Sequence, residues 1–255
     1  MPQKSAAILV IGDELLSGRT RDANMHHLAG WLTERGVALK EARFVGDEAC
    51  DIVSALNALR SKYDYVFTSG GIGPTHDDIT AEAVSAAFGV PCAEHPDAVR
   101  LIEAWYGARG EEATPARRRM ARMPAGAEMI LNPVSGAPGV RVGNVFVMAG
   151  VPRIFRGMLA AIEGAIEKGA VIHARPATAT GLAESKLADQ LRAIQGAFKG
   201  VTIGSYPIDG DEKGVTIVAR SESATAAEAA ISAVAAAMRA LGFEPVMGER
   251  PGAGG

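Results

Sequence analysis

The sequence predicts an α/β fold, a mostly parallel sheet in three layers, followed by a second, small α+β domain. Three observations carry that prediction. Short apolar runs at residues 6–11, 65–67 and 145–149 alternate with segments whose apolar residues recur at helical spacing. Glycine-rich turns bearing carboxylates follow two of those runs directly, where an open α/β sheet places its ligands. Beyond Gly169 the pattern changes to two strands flanked by helices, the last of them alanine-rich.

The elements follow in order. Residues 6–11 are the first buried strand. After Arg21, the residues Met25, Leu28, Ala29 and Leu32 share a helical face that ends near Gly36. Residues 39–45 alternate as a strand should, and Ile52, Val53, Leu56 and Leu59 mark a second helix. Residues 65–67 are a buried strand and residues 80–88 a helix closed by Gly89. The stretch 95–123 is read as helical and locally basic, with Arg117, Arg118, Arg119 and Arg122 read first as a solvated helix face and, as the alternative, as a source of one or two guanidinia for a ligand's phosphates. A helix over 154–166 closes the first domain, 1–170. Gly169 and the Arg175-Pro176 pair punctuate the chain. The second domain, 171–247, holds a helix at 183–194, strands at 201–205 and 214–219, and a helix at 224–241; residues 248–255 read as a disordered tail.

Composition narrows the function. The 255 residues carry a net charge of -3, with 48% hydrophobic and 22% charged residues, so there is no overall pull toward nucleic acid. Cys50 and Cys92 are the only cysteines and have no Cys/His cluster near them, which excludes a disulfide framework and a structural zinc site and fits a reducing cytoplasm. The amino terminus has no basic region leading into a long apolar segment, so neither export nor a membrane anchor is expected.

The chemistry concentrates in residues 68–80, Thr-Ser-Gly-Gly-Ile-Gly-Pro-Thr-His-Asp-Asp-Ile-Thr. Glycines at a strand-to-helix turn let main-chain N–H groups approach an anion closely. Asp77 and Asp78 beside them would repel a bare phosphate, which points to a shared divalent cation, Mg2+ in the first place. Alone, the motif also suits a tight turn with aspartates near a helix start. A second carboxylate pair, Asp13-Glu14, follows Gly12 at the end of the first strand, where it also suits a helix start.

Gly12-Asp13-Glu14-Leu15-Leu16-Ser17-Gly18, the loop from Ser69 to Thr80, Asn132-Pro133 with Gly136-Ala137-Pro138-Gly139, and Gly150-Val151-Pro152 resemble, in this order, the competence/damage-inducible protein A (CinA) family. Its amino-terminal domain has the molybdopterin-binding fold of the MoaB/Mog proteins. Residues 181–185 and 203–207 look like the KH-like domain that follows it; 196–200 lacks the GxxG spacing that clamps a nucleic-acid backbone, so a packing or dimerisation module is expected, not an RNA binder. Longer members carry a further amidase domain, which is not expected here.

The resemblance implies a metal-assisted cleft for a nucleotide or pterin ligand, and metal-dependent hydrolysis of nucleotide diphosphates such as ADP-ribose is the leading expectation. Molybdopterin binding with adenylyl transfer is the alternative, and a binding module without chemistry the third. On that reading Asp78, Asp47 and Glu14 are catalytic and Asp13, Asp77 and Asp78 hold the metal, while Asp47 also suits a helix N-cap. Ser69, Gly70, Gly71, Gly73, Thr75, Asn24, Asn132, Gly136 and Gly139 hold or shape the ligand. His76 reads as a surface residue, and Thr80 as a ligand contact or a cap. Where the family has a glutamate soon after Val-Pro, this chain has Ile154. A homo-oligomer is expected.

Overall fold

The computed structural model describes residues 3–208 and 213–248, which fall into two compact units, Met1–Gly169 and Ala170–Gly255. The first unit runs β1 (Ser5–Ile11), α1 (Asp13–Leu16), α2 (Asn24–Thr33), β2 (Ala38–Val45), α3 (Ala49–Arg60), β3 (Tyr65–Ser69), α4 (Thr80–Phe88), β4 (Cys92–Glu94), α5 (Pro96–Gly107), α6 (Pro115–Arg118), β5 (Arg122–Pro124), β6 (Glu128–Ile130), β7 (Gly139–Val142), β8 (Val145–Met148) and α7 (Pro152–Ala161). Its sheet has the order β2-β1-β3-β8-β7-β6. The first four strands are parallel, and β7 and β6 complete the edge antiparallel.

Burial explains the layering. Leu9, Ile11, Val66 and Val147 face Ile52, Leu56 and Leu59 of α3 and Val84 of α4 on one side. Ile8, Phe67, Phe146 and Met148 face Leu28 and Leu32 of α2 and Phe155 and Leu159 of α7 on the other. Phe67 and Phe146 stack with ring centroids 5.2 Å apart. Sandwiched strands are apolar on both faces, which is why these runs do not alternate.

The register then positions the site. Val10 lies beside Ser69 and Ser69 beside Met148, so the carboxyl ends of β1, β3 and β8 finish level. From β1 the chain passes to β2 on one side and to β3 on the other, and the loops at 12–23, 46–48, 70–79 and 149–151 gather where the order reverses.

The stretch 95–123 is not one helix. The chain leaves the helix after Gly107, Gly110 takes φ +70°, and Thr114-Pro115 restarts it with the Thr114 hydroxyl accepting from Arg117 N. Arg122–Pro124 is a strand, paired antiparallel with Cys92–Glu94. The last helix of the unit begins at Pro152, ahead of the expected start, and a 3₁₀ turn, Glu163–Ala165, replaces its expected end.

The second unit comprises β9 (His173–Thr180), α8 (Ala188–Ala197), β10 (Val201–Ile208), β11 (Gly214–Ser221), α9 (Ala224–Ala240) and β12 (Val246–Met247). Its sheet, β10-β11-β9-β12, is antiparallel throughout. Ala177, Val215, Ile217, Ile231, Val234 and Met238 lie in its core. Arg175-Pro176 does not break the chain but sits inside β9. The Pro176 carbonyl accepts from Gly248 N at 3.0 Å, so its missing N–H faces the same side, where the two-residue β12 demands no donor from it. The helix expected from 183 is split into a 3₁₀ turn, Glu184–Lys186, and α8. Gly248, expected in the tail, is thus hydrogen-bonded, and 249–255 lie outside the described residues.

Candidate functional site

Gly70 and Gly71 turn the chain from β3 into the site at φ +112° and +66°, values that favour glycine. A Cβ on Gly70 would lie 2.1 Å from the Ile11 carbonyl oxygen, and one on Gly71 2.2 Å from Thr80 Oγ1. Neither position tolerates a side chain without movement. The Thr80 hydroxyl donates to Gly70 O at 3.0 Å and Thr80 N to Gly71 O at 2.9 Å, fastening the loop to α4; Ile79, not Thr80, stands at the cap. Gly70 N donates to Met148 O at 3.1 Å and is not free for a ligand, contrary to expectation. The N–H groups of Gly71, Ile72 and Gly73 meet no acceptor among the described residues. They are the open donors of the loop.

Asp78 stands over them. Its Oδ2 accepts from Thr75 N at 2.8 Å and from the Thr75 hydroxyl, and a Cβ on Gly73 would lie 2.5 Å from the same oxygen. Thr75 therefore positions Asp78. Glu14 also faces the cleft. Asp13, Asp47 and Asp77 do not line it. The Asp13 carboxylate points at Gly46, whose Cβ position is 2.5 Å from Oδ1, and Asp47 Oδ2 accepts from Asp13 N at 3.0 Å. Asp47 does not cap α3, where Glu48 holds the cap position without a side-chain bond. Burial pushes the Asp47 carboxyl above its ordinary pKa, the Asp13 N–H opposes the shift, and the charges of Asp13, Glu14 and Asp77 add to it. His76 is 97% exposed in its side chain.

The cleft has a volume of about 540 Å³. Tyr106, Met120 and Ile154 give it apolar surface, backed by the fully buried Met158. Sequence reasoning missed Tyr106 and Met120, whose helical spacing reads as core. Ile154 lies in the wall beside Pro152.

Several expected ligand contacts serve the scaffold. Asn24 is 4% exposed, and its Nδ2 donates to Ser69 Oγ at 2.8 Å and to Gly150 O at 2.6 Å. Ser69 is 2% exposed and turned toward Asn24, away from the open donors. Asn132 borders the cleft, but its amide is spent on its own turn. Nδ2 donates to Ser135 Oγ at 2.6 Å and Ala137 O at 2.8 Å, while Oδ1 accepts from Val134 N and Ser135 N. A Cβ on Gly136 would meet the Trp105 ring at 2.4 Å, and one on Gly139 the Val147 carbonyl at 2.5 Å. Those glycines allow close packing of the far wall.

A divalent cation fits in one way only. Among the described residues no three His, Cys, Asp or Glu side chains converge to hold a metal. One or two carboxylates plus ligand phosphates suffice for Mg2+, and Asp78 and Glu14, which both line the cleft, are that kind of donor.

Residues 7–168 match the family described as "Probable molybdopterin binding domain", and residues 177–246 match "FAD synthase, middle domain". A CinA-like protein of Myxococcus xanthus is 34% identical over 89% of this chain and 56% of its own length; one of Gloeobacter violaceus is 32% identical over 93% and 58%. The chain thus spans little more than half the length of these relatives. The solved structure of CinA from Thermoplasma acidophilum, titled as of unknown function, superposes with a TM-score of 0.59 at 33% identity over 64% of this chain and 97% of that one. No helix among the described residues is long and apolar enough to cross a membrane. With its glycine loop at the switch point of a mixed sheet, the chain belongs to the molybdopterin-binding domain family, as a CinA-like member.

Proposed function

We propose that the cleft of the first unit binds a phosphate-bearing pterin of the molybdopterin class. The observation that carries this reading is the row of open N–H groups at Gly71, Ile72 and Gly73 in a cleft of about 540 Å³ that is also lined by apolar side chains. The donors take the phosphate, and Tyr106, Met120 and Ile154 take the ring. Mg2+ held by Asp78 would neutralise phosphate charge, and Glu14 orients a water or a ligand hydroxyl. The family match supports binding ahead of the hydrolysis of ADP-ribose expected from sequence.

Cleavage of a nucleotide diphosphate is the second reading, favoured by the match of residues 177–246 to a domain of FAD synthase, a protein named for an adenine dinucleotide. The KH-like assignment of that domain is carried as a packing or dimerisation role. A homo-oligomer, supported by the exposed Leu101 and Leu131, and a cytoplasmic setting complete the proposal.

Equilibrium dialysis against molybdopterin and ADP-ribose, with AMP release followed in Mg2+ and in EDTA, tests it. Molybdopterin retention without AMP release is expected. Metal-dependent AMP release that Asp78→Asn abolishes would replace the first reading with the second.

A further inference from the structure

Four arginines cluster on the segment beside the glycine loop, and three are already engaged. Arg117 pairs with Glu111 and lies 3.9 Å over the Tyr106 ring; Arg118 pairs with Glu94 at 3.2 Å; Arg122 pairs with Glu82 at 3.0 Å. Arg119 has neither an ion pair nor a side-chain hydrogen bond among the described residues. It lines a narrow cavity of about 20 Å³ with Gly71, Gly73 and Asp78 and with the Glu82–Arg122 pair, large enough for one oxygen-sized group. That cavity shares Gly71, Ile72, Gly73, Asp78 and Met120 with the main cleft, so the two are continuous around the loop.

An arginine without an ion pair and main-chain N–H groups without acceptors, lining one cavity, are donors of the kind that one anion takes. Carboxylates at Asp78 and Glu14 line the cleft, with Asp13, Asp47 and Asp77 nearby, and all of them disfavour a phosphate. A fixed cation is needed to offset them, and the planar fork of arginine matches phosphate oxygens.

We infer that Arg119 is the specificity-determining anchor for the ligand's phosphate, gripping it together with the main-chain donors of Gly71 to Gly73. The inference rests on the reading of the cleft as a phosphate site and names the residue that enforces it. Arg118, committed to Glu94 and lining neither cavity, is the internal control.

The experiment uses the fluorescent pterin phosphate obtained by air oxidation of molybdopterin, the same pterin after phosphatase treatment, and inorganic pyrophosphate, each titrated into the full chain. Wild type is expected to bind the phosphorylated pterin at least tenfold more tightly than the dephosphorylated one. Arg119→Ala should bring that ratio to within threefold of unity with an unchanged thermal melt, Arg119→Lys should restore part of it, and Arg118→Ala should leave it intact. A preserved ratio in Arg119→Ala, or equal weakening of both pterins, overturns the assignment. If wild type binds neither pterin but binds pyrophosphate through Arg119, the anchor stands and the pterin reading falls; if it binds none of the three, both fall.

Discussion

Two glycine-bearing turns border the cleft, and they handle their polar groups in opposite ways. The turn from Asn132 to Gly139 closes on itself, because the Asn132 amide takes two main-chain N–H groups and gives its own protons to Ser135 and Ala137. The loop from Gly70 to Asp78 is fastened at its ends by Thr80 and Thr75 yet leaves three N–H groups without acceptors. Glycine content does not distinguish them. What separates a structural turn from a ligand-binding one is where the donors go.

Substitutions sharpen the contrast. The largest effect is expected for Gly70→Ala, whose methyl meets the main-chain carbonyl of Ile11 and cannot be accommodated by a side-chain rotation. A loss of about 3 kcal/mol in urea unfolding is expected; Gly136→Ala, which meets the Trp105 side chain instead of main chain but must also hold φ +74°, should lose about 2 kcal/mol. Equal losses would mean the two turns are equally constrained. Asn132→Ala should cost about 2 kcal/mol of stability by orphaning its turn, while pterin affinity measured below the unfolding transition changes less than threefold. A lost affinity in a fully folded Asn132→Ala protein would make the closed turn a ligand contact after all.

The smallest effect concerns charge, which accumulates only on the open side. The Asp47 carboxyl has a raised pKa in the folded chain, so its ionisation opposes folding. Asp47→Asn, which keeps an acceptor for Asp13 N, should raise the melting temperature slightly at neutral pH. That gain should fade as pH falls through the raised value toward that of an ordinary aspartate, where the wild-type group is protonated in both states. A gain that persists at pH 3 would place its cause elsewhere.

Much of this was legible in the sequence. The strands at β1, β3 and β8 were visible because burial on both faces produces unbroken apolar runs, and the end of α4 was visible because Gly89 takes φ +66°. Strand β9 was hidden by Pro176, a residue that reads as a break unless the short neighbour that excuses it is known. Strand β5 was hidden in Arg122-Met123-Pro124, where the arginine continues a basic helical pattern. For the site, residue type located Asp78 and Glu14 in the cleft but could not tell them from Asp13, Asp47 and Asp77, which lie in the neighbouring loops and do not line it. Direction of a side chain in a loop is set by partners distant in sequence, such as Asp47 for Asp13.

Asn24 carries a further consequence. Its single amide group joins positions 45 and 126 residues away along the chain. Such distant closures carry the largest chain-entropy cost and come together late in folding. A refolding chain should therefore regain its helical circular dichroism before it regains ligand binding, which makes binding competence a clock for the final step of folding.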